Sequence, residues 1–269
     1  MDFFYQADWL NREPPYAFQW DHLLMIFLLM FIGVGLCFLL QKKEQRTIKI
    51  VLISFWGVYL LLWVLYVIAV YGRVISNPKE YPFDIETMLP LHSCLMFAYV
   101  FPFAIFVKNK VIKTAASNFL VVVNMIMGFI TLFVGCPAAG YSAFSFFGMQ
   151  TLLYHGIDVI VPLVMVATKI YDIKVKDIYY GLALFGILGL SVWIFDAITG
   201  CDYFYFYDGH TFPVFKFISE NVHHLVWTLL IVSCYVITAV ATHFLVIGVK
   251  YLIEEKILTK KEKKMQASS

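Results

Sequence analysis

The chain has 269 residues, of which 61% are hydrophobic and 14% charged, with a mean hydropathy of +0.79 and a formal net charge of +2. That composition excludes an ordinary soluble domain. Apolar runs take up most of the length, so no separate soluble domain is expected, and the small net charge is uninformative by itself.

Seven apolar runs follow in chain order: 21–40, 51–71, 88–107, 115–135, 146–170, 177–199 and 222–249. Each is about 20 residues, enough to cross a bilayer core as a helix. Backbone groups in lipid must be satisfied within the segment, so helices are the open-chain solution. The expectation is an all-α, polytopic bundle of seven transmembrane helices. Residues 1–20 read as an extracytoplasmic interfacial segment, 21–252 as the transmembrane domain and 253–269 as a basic cytoplasmic tail.

The cations fix an orientation. Sixteen of the twenty Lys and Arg fall in the alternate gaps 41–50, 108–113 and 169–176 and in 250–264; the other side holds only Arg12, Arg73, Lys79 and Lys216. The positive-inside rule places the N-terminus outside and the C-terminus in the cytoplasm, which requires an odd number of spans. The expected location is the cell membrane. The tail from Lys256 to Lys264 then faces anionic lipid headgroups, with no nucleic-acid partner. Asp2, Asp8 and Glu13 stand where a signal peptide would be basic, so no secretory signal is expected.

Aromatic residues crowd the outer segments: Phe3, Phe4, Tyr5, Trp9, Tyr16, Phe18 and Trp20 at the start, and Tyr203 to Tyr207 after the sixth run. They read either as an interfacial belt or, for 200–221, as a lid over a cleft that admits lipid. Cys37 and Cys234 read as small buried apolar residues. Cys136 and Cys201 both fall at outer ends of spans, where an oxidising exterior would permit a disulfide.

Polar groups concentrate in the outer half of the bundle. His92 and Cys94 begin the third run, Thr151, His155 and Asp158 lie in the fifth, Asp196 ends the sixth, and Glu220, Asn221, His223 and His224 open the seventh. Asp21 and His22 start the first run and Asn124 lies within the fourth. Ionisable groups at membrane depth face a cavity or a partner. His155 and Asp158, three apart, share a helix face, with Thr151 one turn earlier. His92 and Cys94, two apart, would point about 200° apart on a regular helix, so either one of them plays a supporting role or the helix start is irregular. A thiol beside an imidazole is a nucleophile–base pair for acyl chemistry. The bland reading, in which Cys94 is core packing and His155 makes an interhelical hydrogen bond, stands beside it. Walker, G-x-S-x-G, H-E-x-x-H and C-x-x-C patterns are absent.

The run Leu89-Pro90-Leu91-His92-Ser93-Cys94 resembles the L-P-L-H-x-C signature of the YwaF-like bacterial integral membrane proteins, which are related to the eukaryotic transmembrane protein 164 family. Phe18 to Leu23 resembles that family's opening F-x-x-x-H-L, Phe146 to Gly156 its aromatic segment ending in His-Gly, and Asp202-Tyr203-Phe204-Tyr205 its N-Y-x-Y/F-L stretch. Tyr154 stands where the family often has a small polar residue, and Asp202 where Asn is common. The resemblance implies a phospholipid-remodelling acyltransferase, with Cys94 as acyl-accepting nucleophile and His155 as general base. His92 and His22 would be neighbours in the cavity.

The leading expectation is therefore an acyltransferase or acyl-ester hydrolase acting on a membrane phospholipid or lysophospholipid. Cys94 and His155 would be catalytic, supported by Asp158, His92, Thr151, His22 and Asn124, with no cofactor. Ser93, Thr151 and Asn124 are the candidates for oxyanion donors. One alternative is a metal-dependent lipid hydrolase using ligands from among His92, His155, Asp158, His223 and His224. Another is a transporter or lipid-binding protein that does no chemistry, its buried His and Asp forming a proton relay.

Overall fold

The computed structural model describes residues 18–76, 79, 83, 85–138, 142–207 and 213–266. Side chains at 87–88, 134–138, 213–214, 254 and 256–266 are outside that description, as are residues 1–17 with their aromatics. The helices are α1 (Trp20–Leu40), α2 (Gln45–Ser76), α3 (Ile85–Met88), α4 (Phe97–Phe106), α5 (Lys110–Phe119), α6 (Met125–Ala138), α7 (Phe146–Ala167), α8 (Asp177–Thr199), α9 (Pro213–Asn221) and α10 (His224–Gln266). A π turn, Leu120–Asn124, joins α5 to α6. The described residues contain no strand.

Six helices are long and apolar enough to cross a membrane: α1, α2, Lys110–Phe133, α7, α8 and His224–Ile253. The third apolar run differs from the sequence expectation. Only its second half, α4, is helical, and at ten residues it rises about 15 Å, half a bilayer core. The first half, 89–96, is a chain of tight turns. Pro90 explains the break: it lacks an N–H, and it pushes Leu89 out of the helical region. Leu91 N–H donates to Leu89 O (2.9 Å) and Leu95 N–H to His92 O (2.8 Å).

Non-helical backbone at membrane depth needs protein partners, and the surrounding helices supply them. Asn124 Nδ2, at the end of the π turn, donates to Cys94 O at 2.7 Å and lies 3.4 Å from Ser93 O. Tyr59 of α2 donates to Cys94 O at 3.4 Å, and Trp56 Nε1 to Ala98 O at 3.0 Å. Because segment 89–96 is not helical, His92 and Cys94 are not held on opposite faces.

The most buried span is α7, which packs on α1, α2 and α6. Its N-terminus is capped by Ser145 Oγ, which accepts from Gly148 N at 3.0 Å and donates to Ser142 O at 2.8 Å. Small residues allow close approach: a Cβ on Gly128 of α6 would lie 2.7 Å from Asp158 Cβ, and one on Gly156 would lie 2.9 Å from Leu29 Cδ2. The outer faces of α1, α2, α8 and α10 expose large apolar side chains such as Phe27, Phe31, Ile68, Ile198 and Leu245, as a lipid-facing surface does.

Residues 203–206 depart from the interfacial-belt reading: Tyr203, Phe204 and Phe206 are buried in the bundle. Gly200 ends α8 in the left-handed region (φ 78°). Tyr203 N–H then donates to Asp196 Oδ2 (3.2 Å), Trp227 Nε1 to Tyr205 O (2.9 Å) and Thr228 Oγ1 to Phe206 O (2.8 Å). Those bonds hold Tyr205 at φ 59°, uncommon for a bulky residue. The remainder of the stretch read as a lid includes 208–212, outside the described residues.

At the lysine-rich end a second polar network ties α5, α8 and α10 together. Asn118 Nδ2 bonds Tyr171 OH and His243 Nδ1 (both 3.1 Å), Tyr171 donates to Asp177 Oδ2 (3.0 Å), and His243 Nε2 meets Val175 O (3.0 Å). Lys250 Nζ pairs with Asp172 Oδ1 at 2.6 Å. That hydrogen bond holds the Asp172 carboxyl below the usual aspartate range. Cys37 is buried, whereas Cys234 faces outward. Cys201 is a free buried thiol, and the side chain of Cys136, its expected disulfide partner, lies outside the described residues.

Candidate active site

A cavity of about 250 Å³ opens between α2, segment 86–95 and α7. Trp63 and Tyr66 of α2 form one wall, Glu86, Leu89, Pro90, His92 and Leu95 a second, and Gln150, Thr151, Tyr154 and His155 of α7 the third. Three residues expected at the site, His92, Thr151 and His155, thus meet on one hollow. It lies at the end of the bundle opposite the lysine-rich gaps.

His155 and Asp158 face each other as their spacing requires, with Nδ1 and Oδ2 3.2 Å apart and both residues buried. Asp158 presses against α6 where Gly128 leaves room. Thr151 Oγ1 donates to Gln150 Oε1 at 3.4 Å. His92 Nδ1 bonds Tyr203 O at 2.8 Å, and its ring packs on Tyr203 and Tyr205, so the buried 200–207 stretch fixes its orientation.

Cys94 is half-buried. Its neighbours His92 and Leu95 line the cavity, whereas Cys94 itself is not among the lining residues. It is close enough to Asp158, Tyr154, Tyr205 and Tyr235 to interact electrostatically with each. Asn124 grips the Cys94 carbonyl from the π turn, a helix irregularity frequent at functional sites. Ser93 Oγ shares a 2.8 Å hydrogen bond with Tyr235 OH and is directed at α10.

His22 is placed elsewhere. Its Nδ1 accepts from Phe18 N–H (3.2 Å) and its Nε2 meets Leu132 O (2.7 Å), bracing α1 against α6. Both ring nitrogens are engaged, and it is not a lining residue. His223 and His224 pack in a tilted contact (4.7 Å between centroids) at the exposed start of α10. Among the described residues no group of three or more His, Cys, Asp or Glu is placed to hold a metal ion, so the donor set for the metal alternative does not converge.

Several residues that sequence reasoning passed over belong to the site. Tyr59 and Tyr154 pack ring against ring in a tilted contact with centroids 3.6 Å apart, and Tyr59 OH reaches the Cys94 carbonyl. The Tyr154 hydroxyl is buried beside the Tyr59 hydroxyl and Asp158, and Asn124 Oδ1 is a buried acceptor with no hydrogen-bond partner among the described residues. A buried orphan acceptor of this kind marks a place for water or substrate. The signal for α2 was present in the sequence: Tyr59, Trp63 and Tyr66 form an aromatic stripe at helical spacing in an otherwise largely aliphatic span.

No curated protein and no solved structure matches the chain. Residues 17–247 match the TMEM164 family, which covers both helices that carry the cavity, the turn segment with Cys94 and the π turn. With six membrane-length apolar helices in the same span, the chain is a multi-pass membrane protein belonging to the TMEM164 family.

Proposed function

We propose that this protein transfers or hydrolyses acyl esters of membrane phospholipids through a thioester on Cys94, with His155 as the proton carrier. The observation that carries this reading is the cavity that presents His155, backed by buried Asp158, opposite the turn segment containing Cys94. Family membership supports the same chemistry.

The chemistry follows from the geometry. Nδ1–H of His155 donates to Asp158, leaving Nε2 as the basic nitrogen. Nε2 takes the Cys94 proton, and the thiolate attacks the ester carbonyl carbon. A C–S bond forms, the ester C–O bond breaks, and the imidazolium protonates the departing alkoxide, which leaves as a lysolipid. The hydroxyl of a second lysolipid, or of water, then gives its proton to His155 and attacks the thioester. The C–S bond breaks and the thiolate recovers the proton. The Tyr154 hydroxyl is the donor best placed to stabilise the oxyanion, because Tyr154 lines the cavity wall next to His155.

The L-P-L-H-x-C run supports the YwaF-like branch. The lysine pattern supports a cell-membrane protein with N-terminus outside and a basic tail on anionic lipid. Segment 89–96 with α4 then serves as a seventh crossing, half turns and half helix. In this arrangement the cavity opens in the outer leaflet. Purified protein should turn over phospholipid, and Cys94→Ala and His155→Ala should each abolish it. Turnover unchanged in both variants would reject the mechanism.

A further inference from the structure

Two residues on facing walls of the cavity carry N–H groups that the fold leaves unused. Trp63 of α2 and Gln150 of α7 both line the cavity, and Gln150 is only 9% exposed. Gln150 Oε1 accepts from Thr151 Oγ1 at 3.4 Å, whereas its Nε2 donates to no acceptor among the described residues. The Trp63 indole N–H likewise meets no acceptor among the described residues. Trp56, two turns earlier on the same helix, behaves otherwise: its Nε1 donates to Ala98 O at 3.0 Å. A largely buried donor left without a partner is costly, so it persists where water or a ligand completes it.

The helix register sets these donors at one level. Tyr59 meets Tyr154 and Tyr66 meets Phe147, so α2 and α7 run in opposite directions. Four residues on from Tyr59 is Trp63, and four residues back from Tyr154 is Gln150. The same register therefore faces Trp63 with Gln150 across the cavity. Along α7, Gln150 precedes His155 by five residues, which places it about 8 Å nearer the bundle end opposite the lysine-rich gaps. That order suits a glycerophospholipid with its ester beside His155 and its headgroup nearer the surface, since only a few bonds separate the ester carbonyl from the phosphate. An indole is a donor only, and a carboxamide supplies two further N–H groups. A carbonyl offers a single oxygen, whereas the two non-bridging oxygens of a phosphodiester point apart and can accept from both walls together. Hydrogen bonds to an ionised acceptor are also about twice as strong as neutral ones. The lining includes Glu86 and, among the described residues, no Lys or Arg. Uncharged donors of this kind suit a zwitterionic headgroup, which brings no net charge to offset.

We propose that Trp63 and Gln150 form a two-walled hydrogen-bond clamp on the headgroup phosphate of a zwitterionic phospholipid or lysophospholipid whose ester lies beside His155. The ligand class rests on the lipid reading above, but binding is separable from turnover. Full-length protein in nonionic detergent is titrated calorimetrically with lysophosphatidylcholine, with a monoacylglycerol of the same chain length, which lacks the phosphate, and with inorganic phosphate. Trp63→Phe and Gln150→Met remove the N–H groups and keep most of the bulk. Each should weaken lysophosphatidylcholine binding by roughly tenfold to a hundredfold, the range for a charged hydrogen bond, and leave monoacylglycerol binding unchanged. Trp56→Phe, which loses its bond to Ala98 O, should lower the melting temperature and spare binding. Natural affinity for lysophosphatidylcholine in either Trp63→Phe or Gln150→Met would overturn the clamp. So would parallel loss of both lipids, which would make the two side chains packing residues, an equal loss in Trp56→Phe, inorganic phosphate binding as tightly as the lysolipid, or no lysolipid binding by the natural protein. Lipid turnover is followed alongside. Affinities that shift as stated with no turnover would sink the thioester mechanism and leave the clamp standing; turnover with unshifted affinities would do the reverse.

Discussion

Gly128→Ala tests how closely α6 and α7 must approach to hold the His155–Asp158 pair. The added Cβ would lie 2.7 Å from Asp158 Cβ and 3.1 Å from His155 O. Carbon atoms rest about 3.5–4.0 Å apart, so the helices must separate by roughly 1 Å. Neither obstacle is the free end of a flexible chain, and overpacking of this kind costs about 1–3 kcal/mol. A shift of about 1 Å in a catalytic pair lowers turnover about a hundredfold. Two controls share the chemistry of the change. At Gly156 the obstacle is Leu29 Cδ2 (2.9 Å), a side-chain tip that can rotate, so alanine there should cost less. At Gly186 nothing lies within 4 Å, and alanine should be neutral or stabilise by up to about 1 kcal/mol through helix propensity. Unfolding in detergent followed by circular dichroism, with lipid turnover in parallel, should rank the variants Gly128, Gly156, Gly186 from worst to best. Equal stability and turnover for Gly128→Ala and Gly186→Ala would refute the close-approach argument.

Further outcomes follow from other contacts. Tyr154→Phe should lower kcat about a hundredfold or more with KM unchanged; an unaltered kcat would remove Tyr154 from the mechanism. Asn124→Leu strips the shorter of two donors from Cys94 O and leaves only the 3.4 Å bond from Tyr59, which should cost about 1 kcal/mol, read as a lowered melting temperature; an unchanged one would show that the turn segment does not depend on the π turn. The Lys250–Asp172 pair depresses the Asp172 pKa, so its stabilisation is complete above the unfolded aspartate value of about 4 and fades as pH falls through the lower folded value. The pair is partly exposed, so Asp172→Asn should cost at most about 1 kcal/mol at pH 7 and nothing in strong acid; a variant cost that persists at low pH would contradict this.

The sequence was most informative where local spacing decides the outcome. Apolar run lengths gave six helices directly, and the i, i+3 spacing of His155 and Asp158 gave their contact. The third run read as one helix because apolar residues predominate from Pro90 to Val107, although the opposed directions of His92 and Cys94 left an irregular start open; the backbone breaks there and relies on Asn124 and Tyr59 from distant helices. Tyr203 to Phe206 misled because aromatic residues at a membrane interface and aromatic residues packed inside a bundle have the same composition; the bonds from Trp227 and Thr228 decide it. His22 looked like a cavity residue because the carbonyl it reaches, Leu132 O, is 110 residues away. Tyr59 was passed over because a polar hydroxyl on an apolar ring leaves no mark on hydropathy.

The most direct measurement is peptide-resolved mass spectrometry of the purified protein after mixing with a phospholipid. One acyl chain should appear on the peptide containing Cys94, be released by hydroxylamine as a thioester is, and be absent from Cys94→Ala. Lipid turnover with no acyl mass on Cys94, or the same acyl mass persisting in Cys94→Ala, would contradict a thioester on that residue.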